Sequence, residues 1–218
     1  MNKTLFDQKI REWIDTVSSA GCTVNRIDTI ADIRKKNGEL LFSLLDTEVI
    51  SPEGYKLPHI AFIRGHACLI VILLKNSTTG EEKFLMVRQR RIGNGQMSLE
   101  FPAGMLDYHT SDPVGVAVKE VFEETGLKVV PEEIFSLSDR ILYSSAGASD
   151  EGLYFFGCIK SLDNQTYNSF INRTGGNPDE NEHIQVELLS REQAEPQISS
   201  AQARLAFFLF EKARQKIS

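Results

Sequence analysis

The sequence is poor in cysteine, in tryptophan and in long apolar runs, and it has no excess of positive charge. Its three cysteines, Cys22, Cys68 and Cys158, are odd in number and far apart, so they form no CxxC pair and no disulfide framework. A reducing compartment suits such a chain, and the cytoplasm is the expected location. The longest apolar stretch, Ala67 to Leu74, is far too short to span a bilayer, so no membrane partner is expected. The opening segment MNKTLFDQKIREWIDTV has acidic residues early and no long apolar run, and it does not read as a signal peptide. With 24 Lys and Arg against 30 Asp and Glu, the formal net charge is −6. A general nucleic-acid binder carries a basic surface, so nucleic acid is not an expected partner; a local basic pocket for a small anion is compatible with the balance. Repeats and low-complexity tracts are absent.

What is present is an ordinary globular chain of 218 residues, enough for one large domain or one domain with an appendage. Residues 4 to 18 have helical spacing in Leu5, Ile10, Trp13, Ile14 and Val17, with Gly21 as a stop. From Thr23 to about Ile63 short β-type runs take over; ELLFSLLDTEVI is the clearest, and SPEGYKLP reads as a turn. Residues 1–63 therefore read as a helix and strand extension, and 64–218 as the main domain. In that domain ACLIVILL reads as a strand buried on both faces and KFLMVRQ as its return. The stretches ILYSSAGASDEGLYFFGCI and NEHIQVELL supply further strands. The last helix is expected over 199 to 216, with Ala201, Leu205, Phe208 and Leu209 as its apolar face.

The stretch EVFEETGL, residues 120 to 127, raises a question of electrostatics. Asp112 and Pro113 start a helix and Gly126 ends it. Glu120, Glu123 and Glu124, at i, i+3 and i+4, then share one face, and like charges so spaced cost roughly a few tenths of a kcal/mol per pair. Lysine or arginine at i+4 is the usual relief, and position 128 alone supplies one. Val114, Val118, Val121 and Phe122 form an apolar stripe on a different face. An arbitrary EExG is most often a solvated helix face. Here an apolar strand and a Pro-Ala-Gly turn precede the helix, and carboxylates clustered on so rigid a floor suit Mg²⁺ or Mn²⁺.

The segment FPAGMLDYHTSDPVGVAVKEVFEETGL, residues 101 to 127, resembles the Nudix box, in which a glycine, five residues, a glutamate and seven residues lead to R-E-U-x-E-E-x-G-U, with U apolar. Gly104 matches the opening glycine, and Glu120, Val121, Glu123, Glu124, Gly126 and Leu127 match the end. Lys119 stands where the family has arginine. The loop is one residue longer and lacks its glutamate, with Ser111 or Asp112 nearest. Lysine keeps the charge but loses the planar fork that would orient the neighbouring glutamates. The lead-in RRIGNGQMSLEFPAG, the long loop and SSAGASDE are similar to the nucleoside-diphosphate-sugar branch, and the N-terminal unit is similar to that of ADP-sugar diphosphatases and ADP-ribose pyrophosphatases.

The resemblance implies a Nudix α/β/α sandwich with a mixed sheet plus the N-terminal extension. It implies Mg²⁺- or Mn²⁺-dependent hydrolysis of a nucleoside diphosphate sugar, ADP-glucose-like or ADP-ribose, in a homodimer. The metal ligands by resemblance are Glu120 and Glu124, with Glu123 close by or sharing a metal, and the carbonyl of Ala103. The general base is Glu151, with Asp150 as the second candidate. Arg91 aligns with the arginine that faces the substrate diphosphate, and Arg88 and Arg90 are further candidates, since guanidinium pairs well with phosphate. Arg90 reads equally as a basic edge that discourages strand pairing. Glu100 is either a further carboxylate for the metal or the cross-strand partner of an arginine. His59, His66, His109 and His183 show no paired metal spacing, although His109 lies in the box loop. Ser144 and Ser145 have no evident triad partners, and GNG at 93 to 95 reads as a hairpin turn. The reading from another class is a Nudix-fold nucleotide-sugar sensor with weak or no hydrolysis.

Overall fold

A computed structural model describes residues 6–107, 111–176 and 183–217. No helix among the described residues is long and apolar enough to cross a membrane. The chain forms two compact units: the first draws on residues within 1–67, 105–110 and 142–153, and the second on the remainder.

In the first unit, helix α1 (Gln8–Ser19) buries Ile10 and Ile14 and packs Trp13 beside them, and the chain leaves it through Gly21 at φ +86°. Leu5, expected at the start of this helix, lies outside the described residues. Strands β1 (Thr23–Arg34), β2 (Leu40–Ile50) and β3 (Ile60–Ile63) form an antiparallel sheet in that order. Leu40, Leu45 and Ile63 close the small core against α1. β2 alternates buried and half-buried residues along most of its length, as a strand with one covered face must. β1 is exposed almost throughout, and Ile30 and Ile33 are 54% and 55% exposed.

A charge lies inside this unit. The Lys9 side chain has no exposed surface, and its Nζ donates to Asp107 Oδ1 at 2.9 Å and to the Leu41 carbonyl at 3.2 Å. Lys35 Nζ donates to the other oxygen, Oδ2, at 2.6 Å. Asp107 holds both lysines from a left-handed backbone, φ +43°, which aspartate tolerates better than most residues.

The second unit is built on a sheet in the order β11 (Thr174–Gly175), β12 (Ile184–Leu189), β5 (Glu82–Arg90), β4 (Ala67–Asn76), β10 (Gly152–Leu162) and β8 (Ile134–Ser136), whose strands β4 and β10 begin in the first unit. Strand β6 (Met97–Glu100) pairs with β5, β7 (Ala103–Met105) with β4, and β9 (Leu142–Tyr143), from the first unit, with the start of β10. All eight residues of the apolar run Ala67 to Leu74 are buried, as a strand covered on both faces requires. Helix α2 (Pro113–Thr125) packs on β5, β11 and β12, and the short helices α3 (Asn164–Asn168) and α4 (Arg191–Ala194) follow β10 and β12. Helix α5 (Ala201–Ile217) covers the Phe84 side of β5, with Phe84 to Phe207 and Phe210 at ring distances of 5.0 and 5.8 Å. The result is the helix–sheet–helix layering of an α/β fold with a mixed sheet.

The face of α5 differs from the expectation. The buried residues are Ala203, Ala206, Phe207 and Phe210, while Phe208 is 62% exposed. Both sets of residues fit helical spacing, and the partner decides: Phe84 and Phe101 offer rings for Phe207 to pack against.

Removing one partner of a buried ion pair costs far more than the pair is worth, because the other charge stays buried. Asp107→Ala is therefore expected to lower unfolding free energy by about 3–5 kcal/mol in urea titration, and Lys9→Met by clearly less. Burial alone would raise the Asp107 carboxyl pKa, but the hydrogen bonds and charges of Lys35 and Lys9 hold it below its ordinary 3.8. The stability linked to it is thus complete above that ordinary value and lost as pH falls through the lower folded-state one. Wild type should lose stability over that acid range, and the Asp107→Ala variant should lose less.

Candidate active site

Both ends of α2 are set locally. Asp112 caps the first turn by accepting the Gly115 N–H at 2.9 Å, with Pro113 at the first helical position. Gly126 ends the helix at φ +72° and donates to the Phe122 carbonyl at 2.7 Å. The three glutamates divide among different environments. Val116, Ala117, Val121 and Glu124 lie on the buried side, so Glu124 shares the apolar face that sequence spacing assigned away from it. Phe122, placed on that stripe by its spacing, is 50% exposed. The sheet covers the 117–121–124 line rather than the 114–118–122 line.

Glu124 is only 3% exposed, and its Oε2 accepts the Ala103 N–H at 3.3 Å. Glu120 lies directly on Gly104: a Cβ built there would stand 2.1 Å from Glu120 Cδ and 2.3 Å from Oε1. The Gly104 backbone is not left-handed, so glycine serves closeness here and not conformation. Two carboxylates one helical turn apart thus meet the same two residues of backbone. Cys68 on β4 lies near them. Burial pushes its thiol up to about 12, a Gly104 backbone hydrogen bond opposes this, and the charges of Glu120 and Glu124 add to it. Glu123 instead forms an ion pair with Lys119 at 3.2 Å. The cation that calms the stripe therefore comes from four residues before Glu123, a relation that a search of i+4 positions alone overlooks.

The donors are hard oxygens, which suit Mg²⁺ or Mn²⁺. No group of three or more His, Cys, Asp or Glu side chains gathers as a metal site among the described residues. Mg²⁺ does not need one, since it commonly takes one or two carboxylates and completes its shell with waters and substrate phosphates. Glu120 and Glu124 fit that pattern.

The three arginines go to three places. Arg91 pairs in fork fashion with Glu100, Nε to Oε1 at 3.0 Å and Nη2 to Oε2 at 2.7 Å. Burial alone would raise the Glu100 carboxyl pKa, but the hydrogen bonds and charge of Arg91, with Ser98, hold it below the usual carboxylate range. The arginine partnership expected of Glu100 is thus formed. Arg90 donates to the Gly95 carbonyl at 2.6 Å and closes the turn containing Gly95 at φ +68°, as the GNG pattern implies. Arg88 pairs with Glu187 on β12 and donates to Gln197 at 2.8 Å.

In the first unit, the loop between β9 and β10 carries Asp150 and Glu151. Asp150 accepts the backbone N–H of Arg64 at 2.8 Å and that of Gly65 at 3.1 and 3.2 Å. Burial pushes its carboxyl pKa up, against those hydrogen bonds and the charge of His66. Glu151, 8% exposed, accepts from Ser144 Oγ and lies 3.1 Å from Arg64 Nη1. The loop has Ala146 where the family often has proline, yet it is tied down: the Phe62 N–H donates to the Ala148 carbonyl at 2.7 Å, and Ser149 N–H to the Ser145 carbonyl at 2.9 Å. Asp150 thus fixes backbone, and Glu151 keeps a carboxylate beside a guanidinium. Sequence reasoning missed Arg64, whose only signal is an arginine just ahead of a buried strand. His66 Nδ1 accepts the Gly152 N–H at 3.1 Å, and His59 lies 3.3 Å from Asp46. His183 is exposed, and His109 lies outside the described residues.

A family model described as NUDIX domain matches residues 66–208. Nudix hydrolase 14, chloroplastic, of Arabidopsis thaliana is 31% identical over 170 residues, covering 75% of this chain and 54% of that protein. The chain thus spans about half the length of that relative. A crystal structure of an ADP compounds hydrolase superposes with a TM-score of 0.61 over 90% of this chain and 96% of that one, at 16% identity, a likeness of fold.

The buried thiols yield a chemical test. Cys68 is pushed up to about 12 and Cys158, again by burial first, to about 11, whereas Cys22 is partly exposed. Only the thiolate reacts with iodoacetamide. At pH 8 in the native protein, mass spectrometry should find Cys22 labelled and the other two protected, with all three labelled in urea. Labelling of native Cys68 as fast as Cys22 would contradict its burial beside the two carboxylates.

Proposed function

The chain belongs to the Nudix family, and from that premise we propose that it hydrolyses the diphosphate bond of a nucleoside diphosphate sugar, with Mg²⁺ or Mn²⁺ held by Glu120 and Glu124. The observation that carries this reading is the seating of both carboxylates on the Ala103–Gly104 backbone, one on glycine and the other on an amide. When bound, the cation supplies charge neutralisation on phosphoryl oxygens and activation of the attacking water. The carbonyl of Ala103 is the proposed backbone ligand, and Glu123 the nearby carboxylate held in reserve by Lys119.

Water adds to one phosphorus and the bridging P–O bond breaks, giving a nucleoside monophosphate and a sugar 1-phosphate, or ribose 5-phosphate from ADP-ribose. Glu151 is the proposed general base, carried over from its place in SSAGASDE. Its ion pair with Arg64 and the hydrogen bond from Ser144 fix the direction of the carboxylate, as a base aimed at one water requires. Asp150 is the weaker candidate, because the Arg64 and Gly65 amides occupy its oxygens. Arg91 is the proposed diphosphate contact, with Glu100 as the carboxylate that orients it. Arg88 and Arg90 are held by protein partners and become peripheral. The exposed strand β1, with Ile30 and Ile33, supports the proposal that the N-terminal unit meets a second copy of the chain. Its three free cysteines suit a reducing compartment such as the cytoplasm.

The test is a panel of ADP-glucose, ADP-ribose and UDP-glucose, with and without Mg²⁺, read by release of nucleoside monophosphate. Metal-dependent release is expected with the wild type, and Glu124→Gln is expected to lower kcat by about a hundredfold or more. Gly104→Ala is expected to lower kcat by at least about tenfold, since the new Cβ must displace the Glu120 carboxylate. No release from any diphosphate in Mg²⁺ or Mn²⁺ would overturn the hydrolase reading. Nucleotide-sugar binding without turnover would then identify a sensor.

A further inference from the structure

A helix leaves its last four carbonyls without partners inside the helix, and α2 spends its last turn on Phe122, Glu123, Glu124 and Thr125. This turn carries two carboxylates at the negative end of the helix dipole and no basic residue of its own. The segment Arg173–Gly176, at the far edge of the sheet, is packed onto that end. The Phe122 carbonyl is taken by the Gly126 N–H, and the Glu123 carbonyl accepts the Gly176 N–H at 3.3 Å. Gly175 lies against the next carbonyl: a Cβ built there would stand 1.8 Å from Glu124 O and 2.6 Å from its carbon. Gly175 is not left-handed, so its missing side chain serves only this approach.

The guanidinium of Arg173 covers the cap residue. A Cβ on Gly126 would fall 2.1 Å from Nη2 and 2.4 Å from Cζ, and the guanidinium also lies over the Phe170 ring, with Cζ 5.7 Å from its centroid. The segment is itself anchored: Thr174 and Gly175 pair with Gln185 and Ile184 of β12, and the Arg173 carbonyl accepts the Val186 N–H at 2.7 Å. Side chains on a helix lean toward its N-terminus, so the Glu120 and Glu124 carboxylates point away from this end, toward Ala103 and Gly104. The segment can therefore hold the turn without competing for its carboxylates.

We propose that Arg173–Gly176 is a strap that caps the end of α2 and sets the position of Glu124, with Gly175 and Arg173 as positioning residues for catalysis. The proposal rests on the hydrolase reading for its effect on rate, and on geometry alone for its effect on the helix. The experiment uses the full chain with Gly175→Ala, Arg173→Met and Arg173→Lys. Amide exchange is followed at Gly126 and at Ile70, a buried β4 amide bonded to the Pro102 carbonyl, beside kcat, KM and Tm. Gly175→Ala should speed exchange at Gly126 by at least about tenfold while Ile70 stays protected. It should lower kcat by a similar factor and leave the substrate KM within about twofold. Arg173→Met, at an exposed residue, should do the same by about three- to fivefold, and Arg173→Lys should recover most of the loss. Equal loss of protection at Gly126 and Ile70, or a lower Tm with unchanged kcat per folded molecule, would overturn the strap. A wild type that turns over no diphosphate would defeat the hydrolase reading, and the exchange rates would still decide the strap.

Discussion

The structure depends on holding negative charge still where the helix itself disfavours it. Glu123 and Glu124 occupy the last turn of α2, at the negative end of its dipole, and Glu120 is one turn behind. Every feature around them lowers that cost or makes use of it. Gly104 gives up its side chain so that Glu120 can lie on the backbone, and Ala103 turns an N–H to Glu124. Lys119 neutralises Glu123. Strand β4, buried from Ala67 to Leu74, gives these groups a rigid base. The carboxylates are thereby held by the fold itself, which is the preorganisation that the proposed reaction calls for.

The same pairing of opposite charges governs the arginines and the proposed base. Arg91 and Glu100 hold one another in a two-bond fork, and Arg64 holds Glu151. In each case a group suited to the proposed chemistry is paired with an opposite charge that fixes its direction. Asp150 shows the contrast: its neighbour in sequence, it spends both oxygens on backbone amides and so secures the loop.

The legible parts were those written in consecutive residues. Asp112, Pro113 and Gly126 mark the ends of α2 by local sterics and capping, and the run Ala67 to Leu74 announces a strand with no wet face. Glu120, Glu123 and Glu124 were legible as a cluster, but not their separate environments, because the sheet chooses which line of the helix it covers. The face of α5 was lost for the same reason: Phe84 and Phe101, over a hundred residues earlier, decide for Phe207 over Phe208. Arg64 and Lys9 find carboxylates 87 and 98 residues away, at Glu151 and Asp107, and no periodicity carries that information. Gly175 was silent because glycine in a loop ordinarily signals a turn, whereas here it admits a carbonyl.

The buried Lys9 also bears on how this fold can be inherited or rebuilt. Its counter-charge belongs to the loop just after Gly104, inside the motif that defines the family, although the lysine itself belongs to the first helix. The N-terminal unit is consequently no detachable cassette. A graft ending at residue 63 would carry the buried ammonium and leave its carboxylate behind, and a recipient with another residue at position 107 would receive a bare charge in its core. Loss of the carboxylate at 107 while Lys9 stays is the costly change, so an exchange of this unit that keeps Lys9 has to bring the box loop with it.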